Sequence, residues 1–405
     1  MKVLLVTDSF YPCINGVSTF VKSLALGLDK KGHEIVILAT SPFRALERTK
    51  IGGVEIFGVP TMPSFLDPDI RIPVSFGLKG KIIDLLEMFN PDVIHILDSH
   101  YLSALTVTVN RRFKIPLIAT IYYLPEHLNG FLKNTSLKRS LETLFWQKYS
   151  RILNQVQIIT SPSISLSRLI SNKLNIKAEV ISSGVDLRRF NPGLKNEFVL
   201  KKYKLQAKPY LLYAGYLDPF KNLELVLTAF KMAVTQVPFT LVITGDGRNE
   251  SRLKKICNRL GLKDKVLFTG FVTDENLPAL YAQACGFIIN NTAEGQRIAT
   301  LEAMASGLPI LARKESELED LVQPNHNGFL FEGEDPGTLA AFMIKILLCP
   351  EIRREMGTSS VEKIREHNIE TVVEKFEEVY KKLSDRNHLG EVQDMDASKR
   401  INISL

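Results

Sequence analysis

Short apolar runs alternate with stretches of helical periodicity along most of the chain, and the runs fall into two series. The first comprises residues 2–6, 34–38, 93–97, 117–120, 156–159 and 179–181; the second comprises 210–213, 240–243, 266–269, 286–289, 309–312 and 328–331. Runs this short and this apolar, separated by helical patterns, are what parallel strands buried on both faces require. Two such series predict an α/β fold of two Rossmann-like lobes, each a doubly wound parallel sheet. Further on, Val372, Phe376, Val379, Tyr380 and Leu383 make one apolar stripe on a charged background, which predicts an amphipathic helix. Residues 386–405 are polar, lack periodicity and are expected to be a disordered tail.

A length of 405 residues suits two such domains, each able to bury its own core. With 45% hydrophobic and 23% charged residues, and no apolar run near the roughly 18 residues of a membrane span, the composition is that of a soluble globular protein. The apolar run at residues 3–6 is cut off by Asp8 and has no small-residue cleavage site after it, so it reads as a first strand and not as a signal peptide. Cys13, Cys257, Cys285 and Cys349 are scattered, which argues against a disulfide framework or a zinc site and for a reducing cytoplasm. The net charge of +7 is compatible with nucleic acid, an anionic membrane surface or a phosphorylated ligand. No nucleic-acid-binding motif accompanies it.

The sharpest chemical signal is a pair of carboxylates, Glu294 and Glu302, with seven residues between them. The apolar run at 286–289 predicts a strand, a Gly-containing turn follows, and a helix should then run until Gly307 stops it by C-cap logic. Glu294 thus falls in the turn and Glu302 inside the helix. The first can bond sugar hydroxyls and the second a ribose diol, while unpaired N–H groups at the helix start, near Gln296, Arg297 and Ile298, can face a diphosphate. The alternative is a loop charge and a solvated helix residue. After the first run, residues 8–19 contain Asn15 and Gly16, where backbone N–H groups can approach a phosphate and Ser18 or Thr19 can cap the next helix. An unliganded strand-to-helix turn is equally consistent with those residues. Asp67-Pro68-Asp69 and Asp394-Met395-Asp396 satisfy D-x-D, but neither follows a buried strand, so no metal site is expected.

Residues 294–307, continued by Leu308-Pro309-Ile310-Leu311-Ala312, resemble the donor-site signature of the retaining glycosyltransferases of family 4, which have the GT-B fold. Asn15-Gly16-Val17 and Gly32-His33-Glu34 are similar to segments of that family's first lobe, and Ser182-Ser183-Gly184-Val185-Asp186 resembles its hinge. The resemblance implies an acceptor-binding lobe over 1–185, a nucleotide-sugar lobe over 186–368, a helix at 369–385 that packs back on the first lobe, and the tail at 386–405. It implies that the Gly16 loop lies against the donor sugar and diphosphate, that Lys221 is the cation for the leaving diphosphate, and that Gly245 and Val272 lie in turns near the nucleotide, the base beside Val272.

Two departures stand out. Tyr216 occupies a position where the family usually has Arg, which removes a phosphate cation; Arg297, where relatives have a small residue, can replace that charge or crowd the site. Tyr122 lies near where relatives place a His against the transferred sugar, and a tyrosine there can hydrogen-bond but not act as a cation at neutral pH. His127 is a candidate to reach in, with an exposed loop His as its alternative. His95 is read as structural and His100 as a possible acceptor contact.

Residues 131–153 carry Lys133, Lys138, Arg139, Lys148 and Arg151 interleaved with apolar residues and the sole Trp146, a pattern of a basic amphipathic helix at an anionic bilayer or of a core helix with solvated cations. Residues 122–128 resemble the Pro-Glu loop of transferases that glucosylate diacylglycerol. The implied activity is retaining transfer of a hexose from a UDP- or GDP-sugar to a hydroxyl, a membrane lipid among the candidate acceptors, without metal or cofactor. With no evident carboxylate nucleophile, front-face attack is favoured, Lys221 and the helix start near residues 296–298 stabilising the leaving charge. The competing reading, raised by Tyr216 and Tyr122, is a GT-B protein that binds a nucleotide sugar or partners a true transferase without catalysis.

Overall fold

The computed structural model describes residues 1–11, 15–41, 47–63, 71–73, 77–98, 101–122, 149–150, 152–206, 208–290 and 298–388. The chain divides into two compact units, Met1–Ser183 joined by Ile369–Leu405, and Gly184–Asn368.

The first unit is built on β1 (Lys2–Thr7), β2 (Glu34–Ser41), β3 (Glu47–Ile51), β4 (Val54–Pro63), β5 (Arg71–Pro73), β6 (Val93–Ile96), β7 (Leu117–Thr120), β8 (Ile158–Ser161) and β9 (Glu179–Val180). Their order is β3-β4-β2-β1-β6-β7-β8-β9, with β5 paired to β4. From β4 to β9 the pairing is parallel, and in the centre Leu4 lies opposite both Val36 and Ile94. All of Val3, Leu4, Leu5 and Val6 are completely buried because helices cover both faces. The antiparallel pairings of β3 and β5 with β4 were not legible as apolar runs. Strand β3 reads Glu-Arg-Thr-Lys-Ile, and such an edge is kept polar so that it does not recruit another chain.

The second unit contains β10 (Tyr210–Ala214), β11 (Thr240–Thr244), β12 (Val266–Gly270), β13 (Gly286–Ile289), β14 (Ile310–Arg313) and β15 (Gly328–Phe331). Its sheet is parallel throughout, in the order β12-β11-β10-β13-β14-β15. The order reverses between β1 and β6 in one unit and between β10 and β13 in the other. At such a switch point the loops leaving the two strands run in opposite directions and open a crevice at the carboxyl ends.

The last helix spans Ile369–His388 and belongs to the first unit. It runs past the expected end at 385 and takes residues 386–388 out of the expected tail; residues 389–405 lie outside the described part. Val372, Val373, Phe376, Val379, Tyr380 and Leu383 are all buried. Phe376 packs between Phe20 (ring centroids 5.7 Å apart) and His95 (5.2 Å), and burying such a ring stabilises by about 1.5–3 kcal/mol. The Gly16–Lys30 helix meets it at Gly27, where a Cβ would stand 2.4 Å from Cγ2 of Val373. At the rim Glu377 is bonded by Lys31 (2.7 Å), Lys381 (2.7 Å) and His33 (3.2 Å), and these hydrogen bonds, led by that of Lys31, lower its pKa to about 2.

Inside this contact His95 is fully buried, with Nδ1 2.7 Å from the Tyr380 hydroxyl and Nε2 2.7 Å from Oγ1 of Thr120. Thr120 in turn meets Thr160 at 2.6 Å. Desolvation lowers the His95 pKa to about 3, so the ring is neutral and structural. Replacing Tyr380 by Phe leaves a buried ring nitrogen unpaired and should destabilise the protein by about 1–3 kcal/mol, seen as a lower Tm. The unfolded His95 binds its proton near its ordinary value of 6.5 and the folded one only near 3. This contribution is therefore complete above about pH 6.5 and is lost as pH falls toward 3, and a His95→Gln variant should show a shallower acid dependence of Tm.

Candidate active site

At the carboxyl edge of the second sheet the strand ends interlock through glycines. The Gly215 amide bonds the Thr244 carbonyl (3.1 Å), and the Gly245 amide bonds that of Gly270 (3.0 Å). Gly245 has φ +120, and a Cβ there would lie 2.1 Å from the Gly215 carbonyl oxygen, so only glycine fits. Two residues on, the Leu217 amide bonds the Asp246 carbonyl (2.8 Å) and a Cβ on Gly247 would strike Leu217. Tyr216 is 43% exposed on this edge, and its carbonyl takes the Tyr213 hydroxyl at 3.0 Å. Val272 is buried in the core, so only its backbone can meet a ligand, whereas Phe271 beside it is half exposed.

Lys221 ends a short 3-10 turn, Pro219–Lys221, with its amide bonded to the Asp218 carbonyl at 3.0 Å. It is 6% exposed, which is uncommon for lysine. Asp218, also buried, pairs with Arg248 at 3.3 Å. Asn222 stands at the N-cap of the Leu223–Val234 helix, but in a left-handed conformation its side chain makes no capping bond. Its carbonyl instead accepts from Nδ2 of Asn290 (2.9 Å), the residue that follows β13.

After Asn290 the next described residue is Ile298, buried at the start of the Ile298–Ala305 helix. The helix ends as its sequence demands: Gly307 is left-handed and the Leu308 amide returns to the Ala303 carbonyl at 3.0 Å. Glu302 lies within it, 9% exposed, and burial pushes its pKa to about 7. The Tyr281 hydroxyl and the Arg189 guanidinium oppose that rise and Asp274 adds to it. The Tyr281 hydroxyl has no hydrogen-bond partner within ordinary distance among the described residues, so its effect on Glu302 is that of a nearby dipole. Arg189 is held by the Asp274 carbonyl at 2.7 Å. Neither Arg189 nor Tyr281 was singled out from the sequence; the position of Arg189 just past Gly184-Val185-Asp186 was the available signal. Glu294, Gln296 and Arg297 lie outside the described residues.

In the first unit Gly16 opens the Gly16–Lys30 helix, and the cap is Asn15: its side chain accepts from the Ser18 amide at 2.9 Å while the Ser18 hydroxyl meets the Asn15 amide at 2.8 Å. Ser18 is the reciprocal partner, not the cap. At the switch point stands an acid pair that sequence reading missed. Asp98 accepts from the Asp8 amide (2.6 Å) and from the hydroxyls of Thr7 (2.9 Å) and Ser103 (3.0 Å). Asp8 accepts the Leu102 and Ser103 amides (2.9 and 3.3 Å) at the start of the Tyr101–Asn110 helix. Burial first, then the Asp98 charge, push the Asp8 carboxyl well above the usual carboxylate range.

Tyr122 is 3% exposed, packs on Phe20 with ring centroids 5.8 Å apart, and shares a hydrogen bond with Ser183. Burial pushes its hydroxyl well above its ordinary pKa. His100, His127, Lys138, Arg139, Trp146, Lys148 and Arg151 lie outside the described residues. At the end of the basic segment, Tyr149, Ile152 and Leu153 are buried in the first core. Among the described residues no group of three or more His, Cys, Asp or Glu is placed to hold a metal, and no helix is long and apolar enough to cross a membrane.

Two family models match the chain: "Glycosyltransferase Family 4" over residues 14–189 and "Glycosyl transferases group 1" over residues 195–363. The alpha-monoglucosyldiacylglycerol synthase of Streptococcus pneumoniae is 28% identical over 394 residues, covering 94% of this chain and 85% of that protein. A GDP-mannose-dependent alpha-mannosyltransferase of Corynebacterium glutamicum is 29% identical over 342 residues, covering 83% of this chain and 78% of that one. Among solved structures, the sucrose-phosphate synthase of Thermosynechococcus elongatus superposes with a TM-score of 0.78 at 17% identity, covering 94% of this chain and 98% of that one. One model covers the first sheet from β2 onward and the other the whole second sheet, the structural likeness extends over both, and the chain belongs to glycosyltransferase family 4, the retaining, metal-independent transferases of the GT-B fold.

Proposed function

We propose that the chain transfers a hexose from a nucleoside-diphosphate sugar to a hydroxyl of a glycerolipid at an anionic membrane surface. The observation that carries this reading is the similarity, over 94% of the chain, to a protein named for making a glucosyl diacylglycerol. The basic, tryptophan-containing segment at residues 131–153 supports it, as the part that would lie against anionic headgroups on the inner face of the plasma membrane.

In this reading Lys221 neutralises the diphosphate, aided by N–H groups near residues 296–298 and by the Gly16 turn. Glu294 orients the sugar, and Glu302 accepts hydrogen bonds from the ribose diol. Gly245 and the backbone at Val272 leave room for the nucleotide and its base. Arg297 supplies the charge that Tyr216 does not. Tyr122, with its buried hydroxyl, fixes the end of β7 against Ser183, and His100 and His127 face the acceptor. The acceptor oxygen attacks the anomeric carbon from the side the diphosphate leaves. The bond from C1 to the phosphate oxygen breaks as the new C–O bond forms, and the acceptor proton passes to the departing phosphate.

The test is nucleotide release and glycolipid formation across UDP- and GDP-sugars, with and without anionic vesicles containing diacylglycerol. Release from one donor, accelerated by vesicles, is expected, and the quadruple change of Lys138, Arg139, Lys148 and Arg151 to Gln should abolish vesicle sedimentation. Donor binding without release under any condition would make the chain a non-catalytic binder.

Glu302→Ala should weaken nucleotide-sugar binding by about 1–3 kcal/mol, measured by calorimetry above pH 7. Native affinity should fall as pH drops below about 7, where the Glu302 carboxylate takes up its proton and loses its acceptor character; a Glu302→Gln variant should show no such dependence.

Lys221→Ala should reduce kcat by roughly 100-fold or more while changing the donor Kd far less, since the charge it meets develops in the transition state. Equal losses in kcat and affinity would contradict that role.

A further inference from the structure

Asn290 is completely buried at the end of β13, directly across the switch point from the loop that follows β10. Its two polar ends are unequal. Nδ2 donates to the Asn222 carbonyl at 2.9 Å, whereas Oδ1 has no hydrogen-bond partner among the described residues. Native interiors rarely leave such an acceptor unpaired, and where they do, a ligand or a functional role is the usual reason. Asn222 itself needs holding. It is a non-glycine residue at φ 43 and ψ 45, its own side chain makes no capping bond, and its amide closes the short turn onto Pro219 at 3.0 Å. The residue that this turn delivers is Lys221, buried to 6% exposure. The amide of Asn290 is therefore a side-chain tie between the strand that leads into the Glu294 loop and the turn that carries the phosphate cation.

We propose that Asn290 is a positioning residue for sugar transfer: its amide fixes the turn that presents Lys221, and its unpaired carbonyl oxygen takes a hydrogen bond from a hydroxyl of the bound nucleotide sugar. The inference rests on the reading that the donor binds at this edge. It adds that donor binding and Lys221 placement are coupled through one side chain. A leucine of similar size cannot make either bond and keeps the packing volume, and a serine is too short to reach Asn222, so both substitutions remove the tie.

Hydrogen exchange of the peptide containing Lys221 and Asn222 tests the tie without any ligand. In Asn290→Leu its amides should exchange roughly tenfold faster than in the native protein, while the β10, β11 and β13 amides stay protected. Unchanged exchange would overturn the proposal, and Asn290→Ser provides the same comparison should the leucine variant fail to fold. In turnover, Asn290→Leu should lower kcat about tenfold in the native background and by less than about twofold in a Lys221→Ala background, because residues that act through one another are not additive. Additive losses would mean that Asn290 merely supports the fold. In binding, Asn290→Leu should weaken the nucleotide sugar at least about threefold more than the free nucleoside diphosphate, which has no hexose hydroxyls. Equal weakening would remove the carbonyl contact. If the native protein binds no nucleotide sugar, the functional reading fails, and the exchange experiment still decides whether Asn290 holds the turn.

Discussion

A parallel strand cannot return directly to its neighbour, and that one constraint places the chemistry of this protein. Every strand must leave the sheet at its carboxyl end through a loop and a crossover helix. Where successive crossovers change direction, the two departing loops have no neighbour to cover them. In the first unit those are the loops after β1 and β6, and they carry Asp8 and Asp98. In the second they are the loops after β10 and β13, and they carry Lys221 and Asn290. The glycines at 215, 245 and 270 follow from the same geometry. Three adjacent strand ends must exchange backbone hydrogen bonds beyond the last regular pair, and the Gly245 position has no space for a Cβ.

The sequence was most legible where burial leaves an unbroken apolar run. Both parallel sheets and the stripe from Val372 to Leu383 could be read this way, because a strand covered on two faces and a helix covered on one each impose a fixed period. The strands β3, β4 and β5 escaped: β3 is a polar edge, Glu55, Gly58 and Pro60 break the apolar run of β4, and β5 is only three residues long. The donor signature identified Glu302 through its spacing from Glu294 and the glycine stop at Gly307, both local features. What surrounds Glu302 was not legible: Arg189 and Tyr281 come near it only through packing of distant segments, and only Arg189, just past Gly184-Val185-Asp186, had a local signal. The same holds for Asn290. Its signal is a polar residue ending an apolar run, which resembles any strand terminus until its amide is seen on Asn222.

Tyr122 shows the limit of position alone. The family resemblance assigns its place after β7 to a sugar-facing residue; the side chain lies against Phe20 and Ser183 in the interior of its unit. A phenol has a large apolar body and one hydroxyl, so it is comfortable where a single hydrogen bond is available, and Ser183 supplies it. An imidazole there would need two polar neighbours, as His95 has in Tyr380 and Thr120.

Burial raises the pKa of two carboxyl groups, Asp8 and Glu302, and what surrounds them differs. Asp8 sits against a second carboxylate that already gathers an amide and two hydroxyls. Burial and the neighbouring Asp98 carboxylate hold the Asp8 carboxyl well above the usual carboxylate range, while the Leu102 and Ser103 amides bond to it. Glu302 has no such satisfaction. A nearby phenol and a guanidinium committed to the Asp274 carbonyl only partly offset its burial, leaving it near neutrality at about 7. A carboxylate held at that balance gains most from two further hydroxyl donors, and a ribose diol supplies two on adjacent carbons.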